Sequence, residues 1–284
     1  MAERSGMLAV VEETGATLVP FEEVRETAGR GTFRRFALAA PYLEADRVIN
    51  LPKLKTHEMM TMTCAVKNLF GAVVGAEKPA WHLQAGADRE LFARMLLEIY
   101  LLRPPDLTIV DAVVAMEGNG PASGDPRRVG LLLAGTNAVA VDVIAAEIAG
   151  IPKRLLFVER QAEKMGIVGV ERKEIETVGA PLDGVRVPPF LLPPLADVQF
   201  GVPRFLRERL RHHLTTRPVP IAEKCRLCGI CQDACPPGVM SIENGRLSID
   251  YRRCIRCFCC RELCPEAALA VREGMLLRLL KRLM

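Results

Sequence analysis

The sequence predicts an α/β domain, a mostly parallel sheet flanked by helices, followed by a small α+β unit organised by cysteines. Three observations carry this. PPDLTIVDAVV and VGLLLAGT are continuous apolar runs, the pattern of strands covered on both faces. Amphipathic helical stretches separate such runs, as in sheets whose strands are joined by helices. Nine of the ten cysteines crowd into the last quarter of the chain.

In order, MLAVVEET reads as a helical turn ended by Gly15, and ATLVPF as a short strand. VINL is a strand stopped by Pro52. MTCAVKNLFGAVVG carries an apolar helical stripe closed by Gly71 and Gly75. Residues 88–102, DRELFARMLLEIYLL, form an amphipathic helix with Asp88 as its N-cap. After PPDLTIVDAVV comes the loop MEGNGPASGDP. NAVAVDVIAAEIAG is a helix capped at Asn137 and ended at Gly150. A helix over about 153–165 and a strand at about 173–178 complete an α/β domain assigned to residues 1–180. A proline-rich connector and the basic helix PRFLRERLRHHL span 181–220. The cysteine unit covers 221–272, with MSIENGRLSID as a hairpin turning at Asn244–Gly245. Residues 273–284 make a basic amphipathic tail.

The cysteine unit holds C-x2-C-x2-C-x3-C-P twice. Cys225, Cys228, Cys231 and Cys235 recur 29 residues on as Cys254, Cys257, Cys260 and Cys264, and Pro236 recurs as Pro265. Three thiolates at this spacing wrap one corner of a cubane, and the fourth must arrive from elsewhere. Zinc ribbons use paired rather than tripled cysteines, and disulfide frameworks need a secretory context. In two-cluster proteins with this run, each fourth cysteine serves the other motif's cluster. The expectation is one 4Fe–4S cluster on Cys225, Cys228, Cys231 and Cys264, and another on Cys254, Cys257, Cys260 and Cys235. The unit resembles bacterial-type 4Fe–4S ferredoxins in all eight ligands and both prolines. Cys259, between ligands, reads as a small packed residue, and Cys64 as a solitary buried thiol.

Charge is uneven. Residues 201–284 hold 16 of the 38 Lys and Arg but 8 of the 34 Asp and Glu. Two oxidised clusters with their thiolates, at about −2 each, offset half of that excess. Arg226, Arg252, Arg253, Arg256 and Arg261 then read as counter-charges and solvated surface. No aromatic ladder accompanies them, which argues against nucleic-acid binding. There is no apolar run of transmembrane length. Glu12 and Glu13 interrupt any signal segment, and the clustered free thiols suggest a reducing cytoplasm.

VINLPKLKTH, AVKNLFG and DAVVAMEGNGPASGDP, in that order, closely resemble domain-of-unknown-function family 362. Members often carry a carboxy-terminal dicluster ferredoxin unit with a C-x-x-C-x-C-C second motif, like CIRCFCC here. The resemblance implies an iron–sulfur protein and a chain shortened at its start relative to other members. From the residues themselves, Lys53, Lys55 and His57 follow one strand, and Asp111, Glu117 and Gly118–Gly120 lie at the end of another. Such loops converge outside the carboxyl ends of parallel strands and suit an anionic small molecule, with Asp111 or Glu117 as base or metal ligand. Lys67, Asn68 and His82 are candidates to join them. The expected function is one-electron transfer with a redox partner protein. The alternative is an iron–sulfur oxidoreductase whose α/β domain binds an anionic substrate beside the clusters.

Overall fold

A computed structural model describes residues 3, 6–75, 77–85, 88–193 and 215–276. The chain enters through α1 (Met7–Thr14), which buries none of its residues and ends at Gly15 with φ 69°. ATLVPF forms no strand. Pairing starts with β1 (Val24–Ala28) and β2 (Arg35–Ala39), which are antiparallel, and α2 (Ala40–Glu44) follows. The strand expected at VINL is interrupted at Pro52, which has no N–H for a ladder, giving β3 (Ile49–Asn50) and β4 (Lys53–His57). β5 (Thr61–Thr63) turns back antiparallel onto β4.

Three helices follow: α3 (Ala65–Asn68), α4 (Glu77–Ala85) and α5 (Arg89–Leu102). Asp88 caps α5, its carboxylate accepting the Leu91 N–H at 2.9 Å. Phe92, Met95, Leu96 and Ile99, at i, i+3, i+4 and i+7, give α5 its buried face. They join Phe36, Leu54 and Val110 in the main core. Each fully buried side chain of this size contributes about 1.5–3 kcal/mol, so Leu96→Ala would cost about 2–5 kcal/mol.

β6 (Leu107–Glu117) is the centre of the sheet. It takes β3 and β4 parallel along one edge and β7 (Asp125–Gly135) antiparallel along the other. The sheet is therefore mixed, not mostly parallel as the apolar runs suggest. VGLLLAGT lies in β7, an edge strand whose residues alternate between half-buried and exposed, with Leu132 67% exposed. Aliphatic residues packed on one side by α6 (Ala138–Ile148) produce the same run as a strand covered on both sides. Asn137 caps α6 through the N–H groups of Val139 and Ala140, and Gly150 follows it at φ 64°. The helix expected at 153–165 is α7 (Phe157–Lys164). No strand forms at 173–178, where a short 3-10 turn, Arg172–Glu174, leads into irregular chain and α8 (Leu182–Val185).

The start of the proline-rich segment lies along this domain. Val187 and Phe190 donate N–H bonds to the carbonyls of Ile148 and Ala149, and the Phe190 side chain is buried. The basic helix PRFLRERLRHHL and most of the tail fall outside the described residues. In the cysteine unit, β8 (Thr216–Pro220) pairs antiparallel with a strand far along the chain. β9 (Met240–Glu243) and β10 (Arg246–Ile249) form the expected hairpin, with Asn244 and Gly245 at φ 50° and 70°. β11 (Leu269–Glu273) is the partner of β8. Among the described residues no helix is long and apolar enough to cross a membrane.

Candidate functional site

The two cysteine runs fold alike. Leu227, Gly229 and Gly238 have φ of 54°, 82° and 57°. Their counterparts Arg256, Phe258 and Ala267 have 59°, 62° and 47°. Four of these six carry side chains that disfavour the left-handed region. Alternating handedness turns successive N–H groups into one concavity, which favours negative charge. Val239 donates its N–H to Cys235 Sγ at 3.4 Å, and Ala268 to Cys264 Sγ at 3.3 Å, the same bond in each copy.

The cysteines line two cavities. Cys225, Cys228, Cys231 and Cys264 surround one, floored by Ile242, Leu247 and Leu269. Cys235, Cys254, Cys257 and Cys260 surround the other, against Pro218, Met240 and Ile249. Each cavity therefore takes three sulfurs from one run and one from the other. Four thiols, inward amides and an apolar wall fit a 4Fe–4S cluster. Burial pushes the Cys231, Cys235, Cys254 and Cys260 thiols up from their ordinary value. Coordination is what would deprotonate such thiols. Bound clusters would supply reversible one-electron storage.

The second run lies against the α/β domain. Its short helix Cys259–Glu262 presents Arg261 and Glu262 to the turn after β4. Arg261 pairs with buried Glu58, and donates to the carbonyls of Asn119 at 3.2 Å and Leu269 at 2.9 Å. Glu262 Oε1 is 3.1 Å from His57 Nε2. His57 Nδ1 accepts the N–H groups of Met59 and Met60 at 3.0 and 3.2 Å, so the neutral ring carries its proton on Nε2, facing Glu262. Burial, with Lys67 nearby, pushes His57 down to about 4. Burial also raises the Glu262 carboxyl, but His57, Lys67 and His82 together outweigh it and hold it at about 2. His82 is buried, stacked on Phe92 with centroids 4.5 Å apart, and is itself pushed down to about 4 by burial. The Cys259 thiol hydrogen-bonds to the Cys257 sulfur, which lowers Cys257 and raises Cys259.

The residues expected in an anion cleft divide. The parallel β4–β6 pairing brings their following loops together, because Thr56 Oγ1 donates to the Gly118 carbonyl at 2.9 Å. A Cβ on Gly120 would stand 2.1 Å from the Thr56 carbonyl oxygen, so only glycine fits. Lys55 is half-buried and points at the Pro121 carbonyl, 3.5 Å away, and burial lowers its pKa. Lys53 and Asp111 instead pair with each other at 2.6 Å, both close to half exposed on the sheet. The bond from Lys53 holds Asp111 below the usual carboxylate range. Glu117 accepts the Leu191 N–H at 3.0 Å and faces Arg127 at 3.6 Å, holding the connector. Asn68 donates to Asn50 Oδ1, which makes it a brace between β3 and α3. Glu58, Arg261 and Glu262 complete the junction without any motif to announce them. Their only sequence signal is charge at a motif edge.

Away from the junction, Asp142 accepts the N–H groups of Ala65 and Val66 at 2.6 and 2.9 Å, capping α3. Burial raises Asp142 to about 6 and, with Asp142 beside it, Glu159 to about 8. Burial, then Asp142, raises the Cys64 thiol well above its usual value, which suits a packed residue better than a nucleophile.

Residues 217–265 match the model of a 4Fe-4S dicluster domain. The chain is 36% identical over 216 residues to a thylakoid-associated protein of Synechocystis sp., covering 75% of this chain and 66% of that relative. Residues 1–147, over half of the 284, match the model described as domain of unknown function DUF362. With that match running through the strands and loops of the α/β domain, and the dicluster match behind it, the chain belongs to the DUF362 family.

Proposed function

We propose that the chain carries electrons one at a time on two 4Fe–4S clusters. One is held by Cys225, Cys228, Cys231 and Cys264, and the other by Cys235, Cys254, Cys257 and Cys260. The observation that supports this is the pair of four-thiol cavities, each completed by a cysteine of the other run. Crossing ties the halves together, so neither cavity forms from one motif alone. The partner in this reading is a redox protein. Residues 1–180, 181–220 and 221–272 act as scaffold, connector and carrier. Anaerobic reconstitution should give about eight irons per chain and interacting S = 1/2 signals on reduction. Four irons, or zinc in their place, would sink the reading.

A second reading is favoured by the buried polar junction of His57, Lys67, His82 and Glu262 beside the second run. In this reading the α/β domain presents an anionic small molecule to that cluster, using Lys55, His57, Lys67 and His82 of the expected set. Turnover lost in His57→Asn or Lys55→Ala at unchanged iron content would support an oxidoreductase. Activity that is untouched in both would leave electron transfer alone.

A further inference from the structure

The two cysteine runs are equivalent in sequence but not in access. Cys228 is exposed and Cys225 half-buried, whereas their counterparts Cys257 and Cys254 are each 7% exposed. Ile230, on the first run, is 42% exposed, and its counterpart Cys259 is 7% exposed. Gly229 of the first run corresponds to Phe258, 1% exposed, in the second. Every one of these differences has the same sign. The second run is sealed by the α/β domain through the contacts of Arg261 and Glu262, while the first run faces outward.

On the outward face, exposed Ile230 stands among exposed charges of both signs, Glu223, Lys224, Arg226 and Asp233. Leu227, Ile230 and Pro265 border the first cavity, and its charges are Arg226 and Glu266, which face each other at 3.4 Å. Charges of both signs nearly balance around the rim, which gives little long-range steering. It suits a small, transient contact in which apolar surface excludes water over the redox centre, the kind that weak electron-transfer encounters use.

We propose that this face is the electron port of the chain. A one-electron carrier protein with an apolar contact surface docks over Leu227, Ile230 and Cys228. One electron leaves the carrier there; with clusters bound, the one held by Cys225, Cys228, Cys231 and Cys264 would accept it, and the one beside His57 and Lys67 would receive it next. The carrier is oxidised by one electron and the chain reduced by one, with no bond made or broken. Electron transfer between centres weakens steeply with distance, and among the described residues the first set, with Cys228 exposed, offers an outside protein the closer approach. This inference rests on the two-cluster reading above. Iron content and full reduction by dithionite test that reading separately.

The experiment uses the full chain with both clusters loaded and flavodoxin hydroquinone as the carrier, followed by stopped flow. Ile230→Glu places a charge in the contact face, and should slow reduction by flavodoxin by about tenfold or more. Ile230→Gln is a milder change and should slow it less. Reduction of both variants by methyl viologen radical, which needs no docked face, should stay within about twofold of the unaltered chain. Arg252→Glu, on the exposed shoulder of the second run, is the control and should leave the flavodoxin rate within about twofold. Equal slowing in Arg252→Glu, or an unchanged rate in both Ile230 variants with iron content intact, would overturn the port.

Discussion

Cys228 and Cys257 hold the same place in two copies of one motif, and the structure exposes one and buries the other. The backbone does not distinguish them, since both copies use left-handed residues at the same positions and the same amide-to-sulfur bond. What differs is the filling between ligands. Gly229, Ile230, Gln232 and Asp233 correspond to Phe258, Cys259, Arg261 and Glu262. In the second copy Arg261 and Glu262 reach the α/β domain, and Phe258 and Cys259 are buried. Local spacing therefore sets the geometry of the sulfur cage. Long-range contacts set what the cage can meet.

The comparison can be broken most severely at the crossing. Cys264→Ser should cost about half of the iron. The loss should fall on the cavity of Cys225, Cys228 and Cys231 and spare the neighbours of Cys264 in sequence. Iron analysis with EPR of the reduced protein would show it, and loss from the second cavity would contradict the shared lining.

Next in size is the seal. Arg261→Ala leaves Glu58 buried without its partner, a change that costs about 3–5 kcal/mol when one member of a buried pair is removed. Denaturation of the loaded protein should register the loss, and Cys259 should become open to alkylation. Gln232→Ala at the equivalent exposed position should do neither. If both variants behave alike, the asymmetry has been misread.

Acid should act on the sealed side too. His57 and His82 are each pushed down to about 4 by burial. As pH falls through 6.5 the unfolded chain takes up protons that the folded chain refuses until about pH 4, so stability is lost across that window and present above it. A shift of this size is worth up to about 3 kcal/mol for each fully buried ring. His82→Phe keeps a ring between Phe70 and Phe92 but cannot titrate. Its denaturation midpoint should fall less between pH 7 and pH 5 than that of the unaltered chain.

The smallest effect belongs to Lys53→Ala. Its pair with Asp111 is exposed on both sides, and such pairs contribute about 0–1 kcal/mol. Stability and iron content should barely change. A large drop in either would mean that Lys53 does more than pair across the sheet.

Much of this was legible in the sequence because it is local. The cysteine spacing, the Asn244–Gly245 turn and the caps at Asp88 and Asn137 are short-range signals whose chemistry demands those residues. The parallel pairing onto β6 followed from the apolar runs, but Lys53–His57, expected to follow a strand, are themselves β4, and the meeting with the β6 loop comes at Thr56 and Gly118. The junction was not legible, since nothing in a linear pattern links His57 to Glu262. Arg256 and Arg261 look like the solvated Arg252 and Arg253 in sequence, yet both are buried, Arg261 against Glu58 of the α/β domain. The edge position of β7 was hidden for a similar reason. A helix on one side and water on the other leave the same aliphatic run as two helices. Lys53 and Asp111 look like site residues past strand ends, but Lys53 opens β4 and Asp111 lies within β6, where facing registers turn them toward each other.

The burial of Cys254, Cys257 and Cys260 also constrains how the protein is made and repaired. On the two-cluster reading, Arg261 and Glu262 closed onto the α/β domain would hinder iron from reaching that set. Loading of the inner set should then come before docking, and the outer set should be open to filling or rebuilding afterwards. Oxidants should strip the outer set first and leave a half-loaded protein that is still folded and can be replenished without unfolding. Iron release followed during air exposure should show two phases, and the faster should belong to Cys225, Cys228, Cys231 and Cys264. A single phase would mean that the two sets share one fate.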